Sequence, residues 1–255
     1  FKAGLAPVNT NYRYTADELV YIWDNADVVA VVFHGIFAET IEQLRHRVPR
    51  VVLWLWVDDQ TGACPSWATD YATAAGSGTS TNVSGPWGRT GDDLLLLYTG
   101  GTTGMPKGVM WPHRAFLFAC AGGAGYFNPA GPVVVPEDIA DRAANGYPLK
   151  MMPLAPLMHA AAVWATWSAM LNGLTIILDE SKSFNPEHIF DMAEREGANL
   201  LQFVGDAMAI PLRDALKANP DRWNLQAVVN LGSGGAVFSQ HVKDDLKALV
   251  PSASI

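Results

Sequence analysis

From Thr99 to Gly108 the chain reads Thr-Gly-Gly-Thr-Thr-Gly-Met-Pro-Lys-Gly, which puts four glycines, three threonines and a lysine into ten residues. Glycine lets the backbone fold tightly enough for successive N–H groups to converge on an anion. Threonine hydroxyls add donors, and the Lys107 ammonium supplies a counter-charge. The anion that suits this set is a phosphate. An ordinary glycine-rich turn or hairpin would carry the glycines too, but it has no need of so many donors or of the closing Pro-Lys-Gly.

Better-known phosphate and catalytic motifs are absent. A P-loop requires Gly-Lys-Ser/Thr at the start of a helix, whereas here Pro106 precedes Lys107 and the strand-like Val109-Met110-Trp111 follows Gly108. The dinucleotide fingerprint fails as well, because Gly232-Ser233-Gly234 is followed by Val237 where the third glycine belongs. Neither G-x-S-x-G nor H-E-x-x-H occurs, which removes the common hydrolase and zinc-protease readings. The loop should therefore join strand to strand and grip phosphates with a hairpin, without help from a helix dipole.

The elements that must position this loop alternate. Leu94 to Thr99 is an apolar strand feeding the loop, and a helix follows Pro112. Upstream, the capping box Thr15-Ala16-Asp17-Glu18 opens a helix to about Asn25. Strands Val28–Phe33 and Val51–Val57 flank a helix from Phe37 to about Arg47, and Ser66 should cap a short helix reaching Ala75. Ala75 to Gly91 is rich in Gly, Ser and Thr and reads as a connection. Downstream, 127–147 looks irregular. Strands then begin at Lys150, Thr175, Asn199 and Gln226, alternating with helices at His159–Leu171, after Asn185-Pro186, around Pro211 and at Ser239–Leu249. Strands that are apolar throughout, alternating with amphipathic helices, imply an α/β fold of mostly parallel sheets covered on both faces. The expected organisation is a first sheet subdomain over 1–90 and a second, carrying the phosphate loop, over 91–255.

Composition narrows the partners. The 255 residues are 49% hydrophobic and 16% charged, enough apolar material for a large core, and the net charge of −8 with scattered lysines and arginines argues against nucleic acid. Cys64 and Cys120 form no C-x-x-C pair, which suits a reducing cytoplasm, with peripheral membrane association still open. Met151–Leu178 has the length of a membrane span, but Pro153, Pro156, His159 and Asn172-Gly173 divide it, so it reads as buried core. The opening at Phe1 and the stop at Ile255 both look cut.

Tyr98–Gly108 closely resembles the signature loop of the adenylate-forming, AMP-binding superfamily, except that the usual serine at the third position is Gly100. Three further segments are similar to family motifs in the same order: Phe1–Asn9, Pro156-Leu157-Met158-His159 and Gly232-Ser233-Gly234-Gly235-Ala236. The loop's wording and Val204-Gly205-Asp206-Ala207 look most like actinobacterial fatty-acid or steroid-side-chain CoA ligases.

The resemblance implies a two-step reaction in which a carboxylate attacks the α-phosphorus of Mg-ATP and the thiol of coenzyme A then displaces AMP. It implies that Thr99, Gly100, Gly101, Thr102, Thr103, Gly104 and Lys107 hold ATP phosphates, with Lys107, Thr102 and His159 acting in catalysis. Gly234, Gly235 and Ala236 would lie against adenine. His159 would border the acyl pocket, with Trp164, Val204 and Gly205 among its lining, and no protein metal ligand falls in this stretch. The family's Mg²⁺-binding glutamate, ribose aspartate and small C-terminal domain with its catalytic lysine would follow Ile255, so this stretch alone should have little or no synthetase activity.

Read from the residues alone, a capping or buried histidine and core tryptophans are the plainer accounts of His159 and Trp164. Other readings stay open: an aryl- or amino-acid-activating enzyme, with Asp206 as a partner for a substrate ammonium, or a silent nucleotide-binding fragment. The oligomeric state stays open, with a homodimer among the alternatives.

Overall fold

A computed structural model describes residues 4–78, 88–101, 104–125, 131–135, 137–146, 148–181 and 183–255. The chain divides into two compact units, Phe1–His113 and Arg114–Ile255.

In the first unit α1 (Ala16–Asn25) starts from the predicted capping box: Thr15 Oγ1 accepts from the Glu18 N–H while the Glu18 carboxylate takes the Thr15 N–H at 2.8 Å. Then come β1 (Ala30–His34), α2 (Ala38–Leu44), β2 (Leu53–Val57), β3 (Thr69–Asp70) and α3 (Tyr71–Ser77). The three strands are parallel in the order β1-β2-β3, with Ala30 opposite Leu53 and Leu55 opposite Thr69. One face is packed, Val31, Phe33, Trp54 and Trp56 joining Ile22, Trp23, Ile41 and Leu44. The other is open, since Val32 and Leu53 keep 57% and 40% of their surface exposed. Coverage on both faces, expected from the apolar strands, therefore does not hold for this sheet among the described residues. The expected Ser66 cap is also replaced. Thr69 and Asp70 pair with Leu55 and Trp56, which delays the helix, and the Asp70 carboxylate takes the Thr73 N–H at 2.7 Å to start α3.

The unit ends in a hairpin, β4 (Leu94–Gly101) and β5 (Gly104–Pro112). The sequence boundary at 90 would assign this hairpin to the second sheet. It falls instead with the first unit because Leu96 donates its N–H to the Pro7 carbonyl at 2.9 Å, and Tyr98 is bonded to Asn9 and Asn25.

In the second unit α4 (His113–Ala119) is followed by α5 (Glu137–Asn145), β6 (Lys150–Pro153), α6 (Ala160–Leu171) and β7 (Thr175–Ile176). Next come α7 (Pro186–Glu196), β8 (Leu200–Phe203), α8 (Gly205–Ala218), β9 (Asn230–Ser233) and α9 (Gln240–Leu249). The helix α5 lies inside the stretch expected to be irregular; Glu137 and Asp138 in its first turn suit the positive helix end. Four parallel strands form one sheet in the order β7-β6-β8-β9. Its core holds Met152, Ile189, Phe190, Leu201, Phe203, Leu212, Val242 and Leu246.

Asn185 caps α7 through the N–H groups of Glu187 and His188, Pro186 fills the first helical position, and Gly197 closes the helix at φ 63°. The last strand starts four residues later than the sequence suggests, because Val228 turns back to donate to the Leu225 carbonyl at 2.9 Å. No described helix is long and apolar enough to cross a membrane. The Met151–Leu178 run resolves into β6, α6 and β7.

Candidate functional site

The glycine-rich loop has the predicted strand–loop–strand form. Its strands pair antiparallel, with Tyr98 opposite Gly108, Thr99 opposite Lys107 and Gly101 opposite Gly104, and a bulge intervenes between Thr99 and Gly101. Directly opposed residues project to the same side of an antiparallel pair, so the Thr99 hydroxyl and the Lys107 ammonium share a face. Both side chains are exposed, while Pro106 between the glycines is buried. Gly104 takes φ 149°, at the edge of the region that only glycine enters freely. Thr102 and Thr103, both expected at this site, lie outside the described residues, and of Gly100 and Gly101 the backbone is described.

The base of the hairpin is locked around Tyr98. Its N–H donates to Asn9 Oδ1 at 2.6 Å, the Asn9 amide nitrogen donates back to the Tyr98 carbonyl at 3.3 Å, and the phenol donates to Asn25 Oδ1 at 2.5 Å. Burial, with Tyr21 adding a smaller effect, pushes the phenol above its ordinary range, so it remains a donor. Gly108 leaves room for the ring: a Cβ there would meet two of its carbons at 3.0 Å. Asn25, 73 residues from Tyr98, had no local signal in the sequence. An open cavity of about 830 Å³ runs along β1, lined by Val8, Tyr14, Trp23, Val32 and Leu53 among others, and no predicted site residue borders it.

In the second unit the remaining predicted residues gather at one edge. Strands β6, β8 and β9 are parallel with Pro153 opposite Gln202, Gln202 opposite Gly232 and Phe203 opposite Ser233. Their carboxyl ends thus align, and the segments leaving them carry His159, Val204-Gly205 and Gly234-Gly235-Ala236 respectively. The carboxyl edge of a parallel sheet is where α/β folds bind ligands.

Gly234 is half-buried, and Gly235 and Ala236 are exposed, presenting backbone with almost no side chain. Gly205 has φ 55°, and a Cβ on it would lie 2.6 Å from the Val237 carbonyl oxygen. Its N–H donates to Ser233 Oγ at 2.9 Å. Asp206 next to it receives the Ser239 N–H at 2.9 Å and the Ser239 hydroxyl at 2.5 Å. These bonds, the hydroxyl first, hold its carboxyl below the usual range, helped by His241 and Arg213.

His159 occupies the position before α6, yet its side chain makes no capping bond and is exposed. It is neither the capping nor the buried histidine that a plain reading suggests. Trp164 and Trp167 are half-buried and rest on Phe116, with ring centroids 5.1 and 6.1 Å apart. Among the described residues no cluster of three His, Cys, Asp or Glu could hold a metal.

The AMP-binding enzyme family matches residues 1–255. A medium/long-chain-fatty-acid--CoA/3-oxocholest-4-en-26-oate--CoA ligase from Mycobacterium tuberculosis (strain ATCC 25618 / H37Rv) is 36% identical over 259 residues, covering 100% of this chain and 46% of that protein. The medium-chain acyl-CoA ligase Mig of Mycobacterium avium is 34% identical over 260 residues, with the same two coverages. The chain thus spans about half the length of the curated relatives it matches. Among solved structures, the anthranilate CoA ligase AuaEII in complex with anthranoyl-AMP superposes with TM-score 0.75 at 15% identity, covering 100% of this chain and 46% of that one. At that identity the likeness speaks for the fold.

Proposed function

The chain belongs to the AMP-binding enzyme family, and on that premise we propose that the full-length protein is an ATP-dependent acid–thiol ligase. It activates a fatty or steroid-side-chain carboxylate as an acyl-adenylate and passes the acyl group to coenzyme A. The observation that carries this reading is the alignment of His159, Val204-Gly205 and Gly234–Ala236 on the segments leaving the carboxyl ends of three parallel strands. An acid and a nucleotide can meet there without any protein nucleophile.

Gly234, Gly235 and Ala236 offer the adenine a flat surface free of long side chains, and the exposed His159 imidazole stands toward the acid. Val204 and Gly205 border the acyl group, with the half-buried Trp164 behind them. Thr99 and Lys107, side by side on the hairpin, bind the phosphates together with Thr102, Thr103 and the backbone of Gly100, Gly101 and Gly104. Mg²⁺ enters with ATP. Neither step needs more than positioning and charge stabilisation from the protein.

The names of the M. tuberculosis and M. avium relatives favour fatty or steroidal acids over aryl acids. An amino acid is disfavoured by Asp206, whose two oxygens are engaged by Ser239 and therefore poorly placed to receive a substrate ammonium. The free Cys64 and Cys120 suit a cytoplasmic enzyme.

Carboxylate-dependent ATP–pyrophosphate exchange by the full-length protein, run against fatty, steroidal, aryl and amino acids, tests the proposal. Exchange with medium or long fatty acids or a steroid-side-chain acid is expected. Exchange confined to aryl or amino acids would overturn the substrate class, and none with any acid would overturn the reaction.

A further inference from the structure

The segment expected to face adenine, Gly234-Gly235-Ala236, has no side chain larger than a methyl group with which to hold itself in place. Its shape is imposed from the first turn of α8. At its start Ser233 Oγ accepts the Gly205 N–H at 2.9 Å, and at its end the Val237 carbonyl accepts the Asp206 N–H at 2.8 Å. Beyond Val237 the Asp206 carboxylate takes both the N–H and the hydroxyl of Ser239.

Ser239 is the residue before α9, where a serine ordinarily turns its hydroxyl back to accept from its own helix. Here it makes no such cap. The hydroxyl donates outward to Asp206, and α9 forgoes a common stabilising contact in favour of a bond between two loops. Arg213 on α8 and His241 on α9 are the charged and titratable groups facing that carboxylate, and both favour its ionised form.

From this geometry we infer that Asp206 is a positioning residue for the nucleotide, latching Ser239 so that the 234–237 segment keeps the shape that receives the base. The inference rests on the proposed ATP-dependent ligase reading and adds a residue to it that touches no substrate.

Steady-state kinetics of the full-length protein would decide it, using Asp206→Asn, Ser239→Ala and the double variant, with ATP, GTP and the preferred acid each varied. Each single change should raise the ATP KM about three- to tenfold, the scale of one lost hydrogen bond, and narrow the preference for ATP over GTP, while the acid KM moves less than about twofold. The double variant should resemble the worse single, because both changes open one contact. Ser239→Thr, which keeps the hydroxyl, should recover most of the wild-type ATP KM.

Unchanged ATP KM and base preference in Ser239→Ala would overturn the inference, as would equal rises in the ATP and acid KM or an additive double variant. If Asp206→Asn fails to fold, Ser239→Ala and Ser239→Thr still carry the test. A wild-type enzyme with no ATP dependence would overturn the ligase reading itself and this inference with it. That failure shows in the control, whereas failure of the latch alone leaves the control intact.

Discussion

The side-chain amide of Asn9 takes both backbone polar groups of Tyr98, accepting from its N–H at 2.6 Å and donating to its carbonyl at 3.3 Å. An amide side chain thereby does the work of a neighbouring strand at the residue where the hairpin leaves the body of its unit. Asn9→Ala removes both bonds and leaves two groups of a buried residue unpaired. A loss of about 1 to 3 kcal/mol in urea unfolding is expected, with faster hydrogen exchange at the Tyr98 amide. Unchanged exchange there would show that the hairpin does not depend on Asn9.

The ring above Gly108 sets a second expectation. Because the Tyr98 hydroxyl is tied to Asn25, the ring cannot easily retreat from a methyl group 3.0 Å away. Gly108→Ala should cost about 1 to 3 kcal/mol through overpacking. Tyr98→Phe releases the tether and should itself cost about 1 kcal/mol, yet relieve part of the Gly108→Ala penalty when the two are combined. Strict additivity in the double variant would argue against this contact.

Lys107 is exposed and directly opposite Thr99, so its removal should spare the fold and weaken the ligand. Lys107→Ala in the full-length protein is expected to lose about 1.5 to 3 kcal/mol of Mg-ATP affinity, the value of a hydrogen bond to a charged group. The melting temperature without nucleotide should stay at the wild-type value, and the rise on adding ATP should shrink. An unchanged ATP affinity would take Lys107 out of the site.

Acid should act through capping and latching aspartates. The carboxyls of Asp59, Asp70 and Asp206 are all held below their usual range, chiefly by the hydroxyls of Thr61, Thr73 and Ser239. A lowered folded pKa means stability that is fully present above the unfolded value and is lost as pH falls through the folded one. Urea midpoints should therefore be flat from roughly pH 7 to pH 5 and fall below about pH 4. Asp70→Asn should make that fall shallower, and an unaltered slope would assign the acid response elsewhere.

Much of this fold is legible locally. The Thr15 capping box, the Asn185-Pro186 helix start and the alternation of apolar strands with amphipathic helices each state their structure within a few residues. The hairpin form of the glycine-rich loop is equally local, since Pro106 and Val109-Met110-Trp111 exclude a helix after Lys107. The failures are tertiary. Nothing near Thr69 announces its pairing with Leu55, so the helix was expected to start from Ser66 and starts from Asp70 instead. The open face of β1 and β2 is equally invisible, because apolar residues say that a face could be covered and not whether it is.

The candidate site residues of each unit divide in the same way. Gly234 and Lys107 are readable as residue types in a pattern, whereas the groups that hold them in place, Asn9, Asn25, Ser233 and Ser239, are ordinary polar residues. Contacts as distant as 89 residues give them meaning.

Gly205 has a consequence for anyone engineering this protein. Its left-handed backbone, with the Val237 carbonyl and the Ala236 methyl against the space where a side chain would grow, makes the β8–α8 turn and the β9–α9 loop a matched pair. Grafted alone onto another scaffold, the 232–239 segment would lose the surface that shapes it. Residues 203–206 and 232–239 form a single cassette written in two places along the chain, to be moved or redesigned together.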